Sequence, residues 1–296
     1  MNLQTVLEKA SGIQGKRTAI ACGEDHEVIE MILKAQEYNL AEFILYGDEA
    51  KISALLDEKR ANQKSLEIVH ASSQKEAAEM AVKAVRRKDA DVLMKGGLPT
   101  AILMKEVLNK EYGLRTGNIL SHVAVFDVPS FNRLVFITDV AMNIQPDLQQ
   151  KIQITENAVK TAGRLGLSLP KVAPIAAVEM VNPSMQATLD AAVLTQMNQR
   201  GQIGNCLIDG PMALDVAVSE KAAEHKGVAG EVAGKADILL MPNMEAGNIF
   251  YKSLVYFAHG KVGGLITGAK APIVVTSRSD SSESKLYSLA LAICNA

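Results

Sequence analysis

The 296 residues carry 48% hydrophobic and 22% charged side chains, a globular balance with enough chain for two ordinary domains or one large α/β domain. A formal net charge of −2 excludes the broad basic excess of a nucleic-acid or membrane-surface binder, so an anionic ligand must be met by local donors. No run approaches the ~20 unbroken apolar residues of a membrane helix, and the opening MNLQTVLEKA places an acid inside a helical pattern, which is not expected of a signal peptide.

Short β-branched runs alternate with amphipathic segments from the start. Arg17–Cys22 reads as a strand, followed by a helix over Glu27–Tyr38, a strand Glu42–Tyr46 and a helix Ala50–Arg60. The strand Ser65–His70, the Ala/Glu/Lys/Met-rich helix Gln74–Arg87, the strand Asp91–Lys95 and a helix Pro99–Leu108 continue the rhythm. That alternation predicts a parallel sheet covered by helices on both faces. Val123–Val128 and Arg133–Thr138, separated by Pro129-Ser130-Phe131-Asn132, break it as an antiparallel hairpin. Alternation then resumes with a helix Asp147–Leu165, a strand Val172–Val178, a helix Met185–Asn198 and a strand Asn205–Asp209. A small-residue helical stretch leads to the strand Asp237–Met241 and a helix Ala246–Phe257. The strands Gly264–Thr267 and Pro272–Thr276 and a last helix Glu283–Cys294 close the chain. The hairpin marks the domain change: residues 1–118 plus 270–296 are expected to form a discontinuous first domain, and 119–269 the second.

In open α/β sheets ligands collect at the carboxyl ends of strands, so the residues there test for function. The strand ending near Met94 delivers Lys95-Gly96-Gly97, a cation beside two residues that permit close backbone approach, which suits phosphate; a plain turn reads equally simply. Arg115 precedes the hairpin as a second anion ligand, and Ser121 offers a hydroxyl to an acyl carbonyl or phosphate oxygen. His122 reads as an interior histidine. Asp209-Gly210-Pro211 with Asp215 sits at one later strand end, and Asn243, Asn248 and Lys252 follow another. Amides there suit a polyfunctional ligand, though Asn243 also fits a helix N-cap. The last strand runs into Thr276-Ser277-Arg278, then Asp280-Ser281-Ser282 before a helix. Orphan N–H groups at a helix start and a planar guanidinium together make a phosphate grip; a capped helix with a Ser281 or Ser282 N-cap is the plainer alternative. Cys22, Cys206 and Cys294 lie far apart without CxxC spacing and read as reduced, buried thiols, and five scattered histidines give a metal site little support.

The segments LMKGGLPT, GLRTGNILSHVAVFDVP, FITDVAMNIQPDL, IDGPMALDVA, VAGKADILLMPNMEAGNIFYKSL and GAKAPIVVTSRSDS are similar to those of the phosphate acyltransferases of the acetyl and butyryl type, over about two thirds of the chain. GLRTGN and SHVAVFDVP point to the butyryl branch. The resemblance implies two α/β domains with a cleft between them, of the isocitrate/isopropylmalate dehydrogenase-like class, in a cytoplasmic homodimer or higher homo-oligomer. It implies reversible transfer of a short-chain acyl group between a CoA thioester and inorganic phosphate, with coenzyme A as substrate or product and neither a covalently bound cofactor nor a metal. On it, Arg278 would hold phosphate and neutralise the tetrahedral intermediate, and Ser277 would bond the thiol or oxyanion. Lys95, Gly96, Gly97, Arg115, Ser121, Asn243, Asn248 and Lys252 would bind phosphate or CoA. The acetyl enzymes carry an aspartate where this chain has Ser284, so the base is open between Glu283 and Asp280. An acetyl preference and a non-catalytic CoA- or phosphate-binding module are the alternatives.

Overall fold

In the computed structural model, which describes residues 1–59, 65–277 and 280–296, the chain divides into two compact units. Unit 1 comprises Met1–Asn118 and Val262–Ala296; unit 2 comprises Ile119–Lys261.

Unit 1 begins with α1 (Leu3–Ser11), β1 (Arg17–Ala21), α2 (His26–Glu37), β2 (Glu42–Gly47), α3 (Glu49–Glu58), β3 (Leu66–His70), α4 (Gln74–Arg87), β4 (Val92–Lys95) and α5 (Thr100–Val107). The helices start where short polar side chains can accept an orphan N–H. Asp25 accepts from Val28, Asp48 from Lys51 and Ser73 from Glu76, each with a glutamate in the first turn that favours the positive helix end. The chain returns through β10 (Lys261–Thr267), β11 (Ile273–Val274) and α11 (Ser282–Asn295). The sheet order is β3-β2-β1-β4-β11-β10, parallel except for β10, which runs antiparallel to β11 with Ile266 opposite Ile273. Ile20, Leu45, Leu93 and Val274 are buried in it. The apolar sequence of α11 is buried almost from end to end, against α1 and α2.

The sequence reading began the return to the first domain at residue 270, whereas unit 1 resumes at Val262. The reason is pairing. β10 sits beside β11, and its Gly264 N–H donates to Ser288 Oγ on α11 at 2.9 Å, so this strand shares the first unit's core. The helix predicted over Ala50–Arg60 ends at Glu58 in α3; Arg60 itself lies outside the described residues.

Unit 2 contains β5 (Ser121–Asp127), β6 (Val135–Thr138), α6 (Leu148–Leu165), β7 (Lys171–Pro174), α7 (Gln186–Gln199), β8 (Leu207–Ile208), α8 (Leu214–Val218), α9 (Glu220–His225), β9 (Ile238–Leu240) and α10 (Met244–Tyr256). β5 and β6 form the antiparallel pair and β6-β9-β7-β8 run parallel. β7 stops four residues before the predicted Val178 because the chain after Pro174 turns away, Ile175 keeping only an isolated bridge to Met212. A capping box between Asp147 and Gln150 starts α6. By contrast α10, although rich in apolar residues, buries only Gly247.

Candidate active site

In unit 1 the carboxyl ends of β1, β4 and β11 stand side by side, since Ala21 pairs with Lys95 and Val274 with Met94. Lys95 is buried there, its ammonium donating to Gly96 O at 3.0 Å and Leu98 O at 3.2 Å. The two glycines do not present their N–H groups to a ligand. Gly96 N–H donates to Ala21 O and Gly97 N–H to Cys22 O, both at 2.8 Å. A Cβ on Gly96 would lie 2.0 Å from Cys22 O, so the close approach this glycine permits is that of β1. Arg115 is exposed, two residues after Gly113. Next to it Thr116 Oγ1 donates to Gly268 O at 2.6 Å and ties the end of the first segment to the turn after β10.

The turn after β11 is held from both sides. Asp280 accepts the Ser277 N–H at 2.7 Å, and Ser277 O accepts the Asp280 N–H at 3.2 Å. The buried Lys285 donates to Asp280 O at 2.5 Å, and Lys34 donates to Ser282 Oγ at 3.0 Å. Ser281 is the N-cap of α11, accepting from Ser284 N–H at 3.2 Å, so the plainer capping alternative is realised one residue ahead of the predicted helix start. Glu283 in the first turn accepts from Tyr287 OH at 3.1 Å. Arg278 lies outside the described residues; before it Ser277 is exposed, and α11 begins at Ser282.

In unit 2 the loop after β6 is organised by Asp139, a buried carboxylate that accepts N–H groups of His122, Ala141, Met142 and Asn143 at 2.9–3.2 Å, and Asn143 Nδ2 at 2.5 Å. Against that loop lies the first turn and a half of α10. A Cβ on Gly247 would lie 2.4 Å from Asp139 O, so only glycine lets the helix approach. Asn248 donates to Val140 O at 3.2 Å, Asn243 caps the helix by accepting from Ala246 N–H at 2.9 Å, and the Lys252 ammonium lies 5.3 Å from the Tyr251 ring centroid. Ser121 departs from expectation: it is 0% exposed and its Oγ accepts Asn157 Nδ2 at 2.9 Å, a bond that fastens β5 to α6. His122 is buried as read. Burial raises the Asp209 carboxyl above its usual range, whereas Asp215 forms an exposed ion pair with Lys226 at 2.9 Å and is held low by it.

Residues 60–293, about four fifths of the chain, match the model of the phosphate acetyl/butaryl transferase family. The chain belongs to that family. A probable phosphate butyryltransferase of Bacillus subtilis is 55% identical over 294 residues, covering 99% of this chain and 98% of its own. The phosphate butyryltransferase of Clostridium acetobutylicum is 50% identical over 287 residues, with 97% and 95% covered. Among solved structures, a branched-chain phosphotransacylase from Enterococcus faecalis superposes with a TM-score of 0.85 at 38% identity, over 95% of this chain and 99% of that one. A putative 4-hydroxythreonine-4-phosphate dehydrogenase from Salmonella typhimurium gives 0.58 at 14% identity, over 96% and 100%, and so shares the mixed α/β, dehydrogenase-like fold.

Several of the motif residues singled out in sequence lie at strand ends and helix starts of their own units, held there by contacts from residues outside those motifs or within them. Lys285, Asn157 and Asp139 make those contacts. Lys285 had no visible signal because a lysine in an amphipathic helix reads as a solvated charge; its burial is known only once α11 is seen packed on α1 and α2. Asn157 lies mid-helix, where an amide is an indifferent helix former, and that was the one available hint. Among the described residues no group of three or more His, Cys, Asp and Glu is placed to hold a metal ion, and no helix is long and apolar enough to cross a membrane.

Proposed function

We propose that this chain is a phosphate butyryltransferase, catalysing the reversible reaction of butyryl-CoA with inorganic phosphate to give butyryl phosphate and CoA through a ternary complex. The observation that carries this reading is that Asp280 accepts the Ser277 N–H and Lys285 donates to Asp280 O just ahead of the α11 N-terminus, in the segment whose sequence holds the Ser-Arg pair. Identity of 50–55% to phosphate butyryltransferases along nearly the whole chain supports the butyryl branch.

In the forward direction a phosphate oxygen attacks the thioester carbonyl, the tetrahedral oxyanion collapses, the C–S bond breaks and the sulfur leaves as thiolate. Arg278 would grip the phosphate and balance the oxyanion, and Ser277 would donate to the oxyanion or sulfur. The thiolate's proton, supplied on leaving and removed in reverse, would pass through Glu283 or Asp280; a thiol near pKa 8.5 demands only modest help. Lys95 and Arg115 would add positive charge, and Asn243, Asn248 and Lys252 would take polar groups of CoA. Gly96 and Gly97 would contribute by shape, their N–H groups being engaged, and Ser121 by supporting the hairpin. We read units 1 and 2 as the enzyme's two domains. The exposed apolar residues Ile249, Tyr256 and Phe257 of the α10 region support a homo-oligomer, and three buried free thiols suit the cytoplasm.

The test is release of free thiol from butyryl-CoA with and without phosphate, run beside acetyl-CoA. Phosphate-dependent release fastest with butyryl-CoA supports the reading, and release fastest with acetyl-CoA moves the chain to the acetyl branch. No phosphate-dependent release with any short acyl-CoA favours a binding module. Arg278→Ala is expected to lower turnover about 10²–10³-fold while CoA still binds.

A further inference from the structure

Unit 1 has a cavity of about 370 Å³ on one face of its sheet, within the range of small-molecule sites. Its origin is in the strand register. Ala19, Ile44 and Glu67 stand side by side on β1, β2 and β3, and Ala21, Tyr46 and Val69 form the next row on the same face. α4 packs on β1 and β2, where the small, buried Ala19 and Ala21 give it room. The bulkier side chains of β2 and β3 then floor a trough beside the helix, walled by Met80, Lys83 and Arg87 from one helix face. Arg17 and Asp89 close it toward the amino ends of the strands, whereas Lys95 and Ser277 follow the carboxyl ends of β4 and β11.

Tyr46 marks the cavity as a site. It is 6% exposed, and its hydroxyl has no hydrogen-bond partner among the described residues, although a buried tyrosine usually finds one. Burial holds the hydroxyl above its ordinary pKa, with Glu67 and Asp89 adding and Arg87 and Arg17 opposing, so it lies in the field of all four and stays protonated at neutral pH.

The charges around it are already matched. Arg17 Nη2 donates to Glu67 Oε2 at 2.7 Å and Nη1 to Asp89 O at 3.1 Å, and its Nε lies 3.4 Å from Glu42 Oε2. Arg87 Nε donates to Asp89 Oδ2 at 2.8 Å. Lys83 donates to Glu79 Oε1 at 2.6 Å and lies 4.7 Å from the Tyr112 ring centroid. A lone anion or a lone cation therefore meets no net opposite charge. What remains, among the described residues, is both kinds of hydrogen-bonding group. The terminal NH₂ groups of Arg87 and the second N–H on each Arg17 Nη can donate, while Glu67 Oε1 and Asp89 Oδ1 can accept. Ile44, Val69 and Met80 add an apolar surface.

We propose that this cavity binds an α-amino acid with an aliphatic side chain. Its carboxylate sits on the Arg87 guanidinium and accepts from Tyr46 OH, its ammonium donates to Glu67 Oε1 and Asp89 Oδ1, and its side chain lies on Ile44, Val69 and Met80. A zwitterion brings both charges and no net charge, so the lining takes it without unpairing its own ions. The inference goes beyond the acyl-transfer reading and does not rest on it.

The probe is L-leucine, titrated into the full chain by calorimetry and followed by methyl NMR on Met80 and Val69. Saturable binding is expected. 4-Methylpentanoate, which lacks the ammonium, and 3-methylbutylamine, which lacks the carboxylate, should each bind at least about tenfold more weakly. The deciding variant is Tyr46→Phe, which removes an oxygen that holds no bond in the folded chain. Circular dichroism and the urea midpoint should stay unchanged while leucine binding weakens about tenfold, the effect of one hydrogen bond to a charged group. Arg87→Met, at a side chain 64% exposed, should leave the fold intact and weaken leucine at least about tenfold. The readout is binding, so it holds or fails independently of the thiol-release assay. Absence of saturable binding up to millimolar leucine overturns the proposal. So does unchanged affinity in Tyr46→Phe and Arg87→Met, or a single-charge analogue that binds as tightly as leucine.

Discussion

The Asp280 carboxylate accepts the backbone N–H of Ser277 at 2.7 Å, so one of the two candidate bases also fixes the backbone of the candidate oxyanion donor. The two roles separate by substitution. Asparagine keeps an oxygen that can accept the same bond, whereas alanine does not. If Asp280 only clamps, Asp280→Asn retains turnover within about threefold and Asp280→Ala loses about fivefold, the worth of one hydrogen bond of ~1 kcal/mol. If it moves the proton, both variants fall together by about 10²–10⁴. Glu283→Gln keeps an acceptor for Tyr287 and provides the matching measurement for the other carboxylate.

Gly96 and Gly97 are expected to respond differently to the same added methyl. At Gly96 it would meet Cys22 O at 2.0 Å, so Gly96→Ala must push β1 from β4 and is predicted to cost about 3 kcal/mol in urea unfolding. At Gly97 the nearest atom would be Glu24 O at 3.5 Å, an ordinary contact, so Gly97→Ala should leave stability within about 0.5 kcal/mol. A fall in CoA release by Gly97→Ala at unchanged stability would reveal a ligand resting on that residue.

Ser121→Ala removes a buried hydroxyl and leaves Asn157 Nδ2 with only Ile119 O, which it also reaches at 3.1 Å. A loss of about 1–2 kcal/mol in stability is expected, with the KM for phosphate and acyl-CoA unchanged at a temperature where the variant is folded. A raised KM at unchanged stability would restore Ser121 as a ligand contact.

The thiols give the pH dependence. Burial, with Glu24 adding and Lys95 opposing, pushes the Cys22 thiol up from 9.0 to about 12. Burial pushes Cys206 up to about 11, with Glu156 adding, and raises Cys294 against the opposing pull of Lys9. A thiol in the unfolded chain loses its proton near 9 while the folded one keeps it, so the unfolded state gains as pH rises. This contribution to stability is constant below about pH 9 and is lost between about 9 and 12. Urea midpoints measured from pH 8 to 11 should fall above 9, and less steeply in Cys22→Ala. At pH 8 a thiol reagent should label none of the three native cysteines rapidly and all three after unfolding.

Local patterns determined most of the elements. The βα rhythm, the Asp and Ser caps and the hairpin at 123–138 are written in nearest-neighbour chemistry, and each lies within a few residues of its expected place in the described chain. The strand ends beside Lys95, Asn243 and Ser277 were legible for the same reason, because a strand end is a local event. Only tertiary structure decided what those residues touch. Whether a glycine's N–H greets a ligand or the carbonyl of Cys22 depends on a strand some seventy residues earlier. Whether Ser121 faces a substrate or Asn157, and whether a helical lysine such as Lys285 or Lys151 is solvated or buried, depends on which helix covers which face. Burial and partnership are properties of packing between distant segments. A single sequence records the residue types but not that pairing.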